Sequence, residues 1–166
     1  MDPSFRWDDR GGCHFRITEK NMSKSFHITK QKIDETLASA PAKGKKLLEP
    51  LKSIAAENKL PINLLENAEV LDNKAEVHME EGDLWLGLEG ETTFIVGGEL
   101  IDPFFSKGKD GVENKNELRA ADIKNGEKII LKPGDWLWIP AGEPHRHFCA
   151  EVSRLAIIKI PRSNRE

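Results

Sequence analysis

Glu76, His78, Asp83 and His145 are the residues of this 166-residue chain whose types and spacing can do chemistry. In Glu76-Val-His78 an acid and an imidazole stand two apart, so in a strand they share a face. After the Glu80-Glu81-Gly82 turn, Asp83 and Trp85 share a face again. If these runs pair as a hairpin, Glu76, His78 and Asp83 converge. A second run, Gly134-Asp-Trp-Leu-Trp-Ile-Pro140-Ala-Gly142-Glu-Pro-His145-Arg-His147, joins a glycine turn, a short apolar strand and a Pro-x-Gly turn to an imidazole at the start of a strand. Two imidazoles and two carboxylates suit a divalent transition metal such as iron, manganese, nickel or zinc.

Two chemistries follow, depending on Glu76. With Glu76 as a ligand beside His78, Asp83 and His145, the ion is a softened Lewis acid for isomerisation, enolisation or hydrolytic steps on a carbonyl or hydroxy acid. With Glu76 free, His78, Asp83 and His145 form the two-histidine, one-carboxylate face of non-haem iron oxygenases, and Glu76 is a candidate general base.

These two runs resemble the cupin motifs, G-x5-H-x-H-x3,4-E-x6-G and G-x5-P-x-G-x2-H-x3-N. The second fits without a gap as Gly134, Pro140, Gly142 and His145, and the first keeps its spacing as Glu76, His78, Asp83 and Gly90. Val70 stands at the first glycine, Glu76 at the first histidine, Asp83 at the glutamate and Cys149 at the final asparagine. The resemblance runs from about Asn67 to Pro161, and the pattern looks like that of a group of small single-domain bacterial cupins. It implies an all-β, cupin-type double-stranded β-helix (a jelly-roll barrel), a metal site open to the barrel mouth, and a homodimer. No tyrosine occurs in the chain, which removes phenol-dependent mechanisms, among them the sugar-nucleotide epimerase arrangement within cupins.

Around the metal set, Trp85, Arg119, Trp138 and His147 are candidates for the substrate pocket. Trp85 and His147 each lie two residues past a ligand, an indole at Trp138 can stack on a ring, and a guanidinium at Arg119 can grip an anionic group. Ordinary readings cover other residues: His14 and His27 as hydrogen-bonding histidines, Glu80, Glu81 and Glu143 as solvated turn carboxylates, and Cys149 as a small buried hydrophobe.

The elements that must position these groups are many short strands. Period-two runs at Lys74–Met79, Asp83–Glu89, Thr92–Val96, Lys128–Leu131, Asp135–Ile139 and Leu155–Ile160 are punctuated by Gly, Asp and Asn, the texture of a sandwich or barrel. Ahead of them, Thr29 is a plausible N-cap for a helix through Ile33 and Leu37 that stops before Pro41. Leu47, Leu48, Leu51, Ile54 and Ala55 make a helical stripe starting near Leu47. The division expected, within one structural domain overall, is an N-terminal arm and helices over residues 1–66, packed on a barrel of residues 67–166. Residues 1–26 are a loose arm or an edge strand, Met22 is an alternative start, and 102–125 form a loop or flap over the mouth.

Composition fits one globular domain, with 38% hydrophobic and 32% charged residues. A net charge of −3, with no basic run interleaved with aromatics, argues against nucleic acid. No long apolar stretch suggests a signal peptide or a membrane span. Cys13 and Cys149 are too few for a disulfide scaffold and fit a reducing, cytoplasmic setting. The leading expectation is a metal-dependent enzyme acting on a small polar metabolite. Its rival is a non-catalytic module that holds a sugar or organic acid in the same pocket, and a purely structural metal is the third reading.

Overall fold

The computed structural model describes residues 5–7, 13–15 and 25–162. Among the described residues, strands β1 (Phe5–Trp7) and β2 (Cys13–Phe15) pair only with each other. Met22 lies outside the described residues, as does the side chain of His14, and His27 is exposed.

Helix α1 (Lys30–Leu37) begins where expected, with the Thr29 hydroxyl accepting from the Lys32 amide at 3.2 Å. The stripe from Leu47 to Ala55 is not one helix. Gly44–Leu47 is strand β3, and helix α2 (Leu51–Asn58) starts only after Pro50. Proline lacks the amide a helix interior needs but is tolerated at a helix start. Lys59 then ends α2 in the left-handed conformation, at φ 53°.

The barrel strands follow in order: β4 (Ile62–Val70), β5 (Ala75–His78), β6 (Glu81–Glu89), β7 (Thr92–Val96), β8 (Glu99–Leu100), β9 (Phe104–Lys107), β10 (Glu113–Ala120), β11 (Ile123–Lys124), β12 (Glu127–Leu131), β13 (Trp136–Ile139) and β14 (His145–Pro161). All pairings are antiparallel. One sheet runs β12-β7-β14-β5-β10-β9, and the other runs β3-β4-β14-β6-β13. The 17-residue β14 belongs to both: His145–Phe148 pairs with β7 in the first sheet, while Val152–Pro161 pairs with β4 and β6 in the second. A bulge between Cys149 and Val152 marks the crossing, the usual device for turning a strand at a sheet corner.

The expected boundary after residue 66 falls inside β4, whose pairing with β14 and β3 makes the segments before and after it one unit. The segment 102–125 is not a flap. Its β9 and β10 form a hairpin that extends the first sheet beyond β5.

Inward positions of both sheets meet in a core of Leu65, Trp85, Phe94, Val96, Leu131, Ile139 and Leu155. The outer face of the second sheet is covered by the helices, through Leu48, Leu51, Leu64 and Ala156. Two packed antiparallel sheets sharing a long strand are a cupin-type jelly-roll barrel, the fold the motifs imply.

Candidate metal centre

Three strands bring the candidate ligands to one end of the barrel. Glu76 and His78 point inward from β5, Asp83 from β6 and His145 from the first residue of β14, which sits directly across from Glu76. The Pro-x-Gly turn is fastened to the same place, since the Gly142 amide donates to the His78 carbonyl at 2.8 Å. Gly142 holds a φ of +86° there, a conformation only glycine adopts without cost.

Donor atoms of Glu76, His78 and His145 all lie within 4.8 Å of one another. The His145 Nε2 is 3.7 Å from Glu76 Oε1 and 3.5 Å from Asp83 Oδ2, and His78 Nε2 is 3.7 Å from that same Asp83 oxygen. These separations are long for hydrogen bonds. They suit donors shared by one ion, because bonds of about 2.1 Å place neighbouring ligand atoms about 3 to 3.5 Å apart. The His145 Nδ1–H donates to the Glu143 carbonyl at 3.1 Å, and a carbonyl can only accept, so in the neutral ring the lone pair is on Nε2. That Nε2 is buried with no hydrogen-bond partner among the described residues. The donor set and the orphaned nitrogen fit a divalent transition ion.

Electrostatics keep the donors in binding form. Burial lowers the pKa of His78, the Lys159 cation adds to the shift, and Asp83 and Glu76 oppose it, leaving a ring that favours the neutral state. Burial pushes the Asp83 carboxyl up, but contacts with His145 and Lys159 outweigh this and hold it below its ordinary value. Lys159 lies opposite Asp83 across the β14–β6 pair, its Nζ 2.7 Å from Oδ1 and 3.3 Å from Glu81 Oε1.

Glu76, His78 and Asp83 open on a cavity of about 720 Å³ lined also by, among others, Lys45, Leu65, Trp85, Glu117, Arg119 and Lys159. Trp85 walls it, and Arg119, opposite Glu76 across β10 and β5, reaches it while paired with Glu117 at 2.7 Å. Burial pushes the Glu117 carboxyl up, but hydrogen bonds from Arg119 and Ser106 outweigh it and hold the group low.

Two expected pocket residues lie elsewhere. Trp138 is 48% exposed and does not line the cavity. His147 is fully buried beneath it, packed between Trp85 and Phe94 at 5.3 Å from each ring. Burial holds its pKa well below 6.5. His147 shares the inward face of His145, but it packs against Trp85, which lines the cavity, and does not line it itself.

Sequence reasoning passed over Lys45 and Lys159. The signal for Lys159 was parity, since in Ile157-Ile158-Lys159 the lysine shares a face with Ile157 inside the barrel. Lys45 carried no such signal, since it falls between the two expected helices, after Pro41 and before Leu47.

No protein-family model matches the chain, and no curated protein matches it in sequence. Among solved structures it is similar to the TT1209 protein of Thermus thermophilus, at 20% identity, covering 83% of this chain and 100% of that one with a TM-score of 0.47. It is also similar to an oxalate oxidase, at 15% identity over 89% of this chain and 66% of that one, with a TM-score of 0.49. A third is Drosophila melanogaster CENP-C bound to CAL1, at 14% identity and a TM-score of 0.40. That match covers 60% of this chain, which spans 60% of the CENP-C chain.

Proposed function

We propose that this cupin-fold chain is a divalent-metal-dependent enzyme acting on a small polar metabolite of the carbonyl or hydroxy-acid kind. Glu76, His78 and His145 would hold the ion, with Asp83 beside them as a further donor. Bound there, a divalent ion supplies Lewis acidity, or oxygen chemistry if it is iron. The supporting observation is the meeting of three donors within 4.8 Å, one of them the buried, unpartnered His145 Nε2, beside an open cavity that Glu76 and His78 line. A structural metal has no need of such access. The ion pair of Asp83 with Lys159 favours Glu76 as a ligand over Glu76 as a free base.

The chain's own groups have separable tasks. Trp85 excludes water from the inner wall, Arg119 stands at the cavity wall to orient a polar ligand, and the Glu143 carbonyl fixes the His145 tautomer. A homodimer in the cytoplasm completes the proposal, with Trp136 and Trp138, exposed by 58% and 48% on the edge strand β13, as a candidate contact face.

Metal content by elemental mass spectrometry tests this, on untagged protein purified without chelator beside a His145→Ala variant. About one equivalent of iron, manganese, nickel or zinc in the wild type, lost in the variant, is the expected result. Metal absent from both would overturn the enzyme reading in favour of a binding module for a sugar or organic acid.

A further inference from the structure

Lys45 projects from β3 into the cavity, on the same face as Asn67 of β4. Its ammonium has one ionic contact among the described residues, Glu76 Oε1 at 3.8 Å, which is beyond hydrogen-bonding range. The other basic groups of the wall are better matched. Lys159 bridges Asp83 and Glu81, and Arg119 binds Glu117.

Glu76 is also a candidate donor for the metal. A carboxylate that gives its charge to a divalent ion gives up most of its attraction for the ammonium beside it. Lys45 is then left facing the cavity as a cation without an anion, next to an ion whose charge Glu76 only half cancels. Asp83, as a further donor, shares its single charge between the ion and Lys159, so the ion and the two ammoniums together still carry more charge than the two carboxylates. A site in that condition attracts a ligand that brings a negative group of its own.

We propose that Lys45 is the acid-binding residue of this cavity, so that the ligand is a small organic acid, reaching the metal with an oxygen and Lys45 with its anionic group. This rests on the metal reading of Glu76, His78 and His145. It assigns the ligand's charge and the residue that reads it.

The test compares three probes with the same hydroxymethyl group on cobalt(II)-loaded protein by titration calorimetry: glycolate, hydroxymethylphosphonate and neutral glycolamide. Wild type is expected to bind at least one of the acids about tenfold or more tighter than the amide, the scale of one charge-assisted contact. The preferred acid then separates a carboxylate from a phosphoryl ligand. Lys45→Met is expected to bring the acid-to-amide ratio close to one, and Lys45→Arg to keep most of it. Cobalt affinity in Lys45→Met is expected to stay level or rise, because a competitor for Glu76 is gone. A merely structural lysine would not move the two affinities in opposite directions. Acid preference surviving in Lys45→Met, or missing from cobalt-loaded wild type, overturns this inference alone. Wild type that takes up no cobalt overturns the metal reading with it. Lys45 is on a partly exposed strand end; if the methionine variant fails to fold, Lys45→Gln takes its place, and acid preference surviving there overturns the inference equally.

Discussion

Strand β14 carries two charged clusters that are built in opposite ways. On its outer face, Arg154 donates to Glu66 through Nε at 2.9 Å and Nη2 at 2.8 Å, to Glu89 at 3.1 Å, and to the carbonyls of Leu37 and Ser39. Glu66 also accepts from the Ala42 amide at 3.1 Å and pairs with Lys46 at 3.0 Å. On the inner face, His145 Nε2 and Asp83 Oδ2 are buried without a hydrogen-bond partner. A closed cluster has spent its bonding capacity on the fold and fastens the end of α1 to the barrel. An open one carries a desolvation cost that the fold does not repay, which is expected of a site shaped for a ligand.

The contrast is sharpest under mutation. His145→Ala should remove the metal almost entirely, read as metal per chain, while folding stays close to wild type. Arg154→Met should do the reverse, costing about 3–5 kcal/mol in urea unfolding because it strands Glu66 without its principal cation, yet leaving metal content per folded molecule unchanged. If Arg154→Met lowered metal affinity as far as His145→Ala does, the two clusters would be one system. Asp83→Asn should be milder, weakening metal affinity about 10- to 100-fold in a competition titration.

Acid should also separate them. Burial pushes the Glu66 carboxyl up, but the Ala42 amide, Arg154 and Lys46 together hold it below 4.5. A carboxyl depressed in the folded state contributes stability above its unfolded value, and that contribution is lost as pH falls from about 4.5 through the folded value. Glu66→Gln should therefore be less stable than wild type at pH 7 and show a flatter loss below pH 4.5 in pH-stepped urea unfolding. The smallest effect concerns the outer edge: Trp138→Ser should leave metal content and urea midpoint nearly unchanged while shifting sedimentation toward monomer.

Part of this molecule was legible in the sequence for a physical reason. Glu76 and His78 lie on a strand with one face inward, so a spacing of two sufficed to put them together, and the Pro-x-Gly turn marks where β14 begins. Strand β4 escaped the same logic because Leu64 through Ala68 are buried on both faces, between core and helices. Alternation disappears when neither side meets water. Strand β10 hid for the opposite reason, since Glu113 through Asn116 are exposed throughout and show no apolar face. Leu47 and Leu48 imitated a helical stripe although one ends a strand and the other leads toward α2. His147 had the right parity, but how far a side chain sits below the cavity is set by its neighbours in space.

The length of β14 has a consequence for timing. From Arg154 to Ile158 it is flanked on both sides by β4 and β6, and from His145 to Phe148 it pairs with β7, with β5 alongside His145. Strands enclosed in this way release their amide protons to solvent only in the rarest openings of a protein. His145 and Lys159 stand near the two ends of that slow-exchanging segment, so neither can reposition by a local loop movement. Association at this site should be quick and nearly free of ordering entropy, and the shape of an acceptable guest is settled before it arrives.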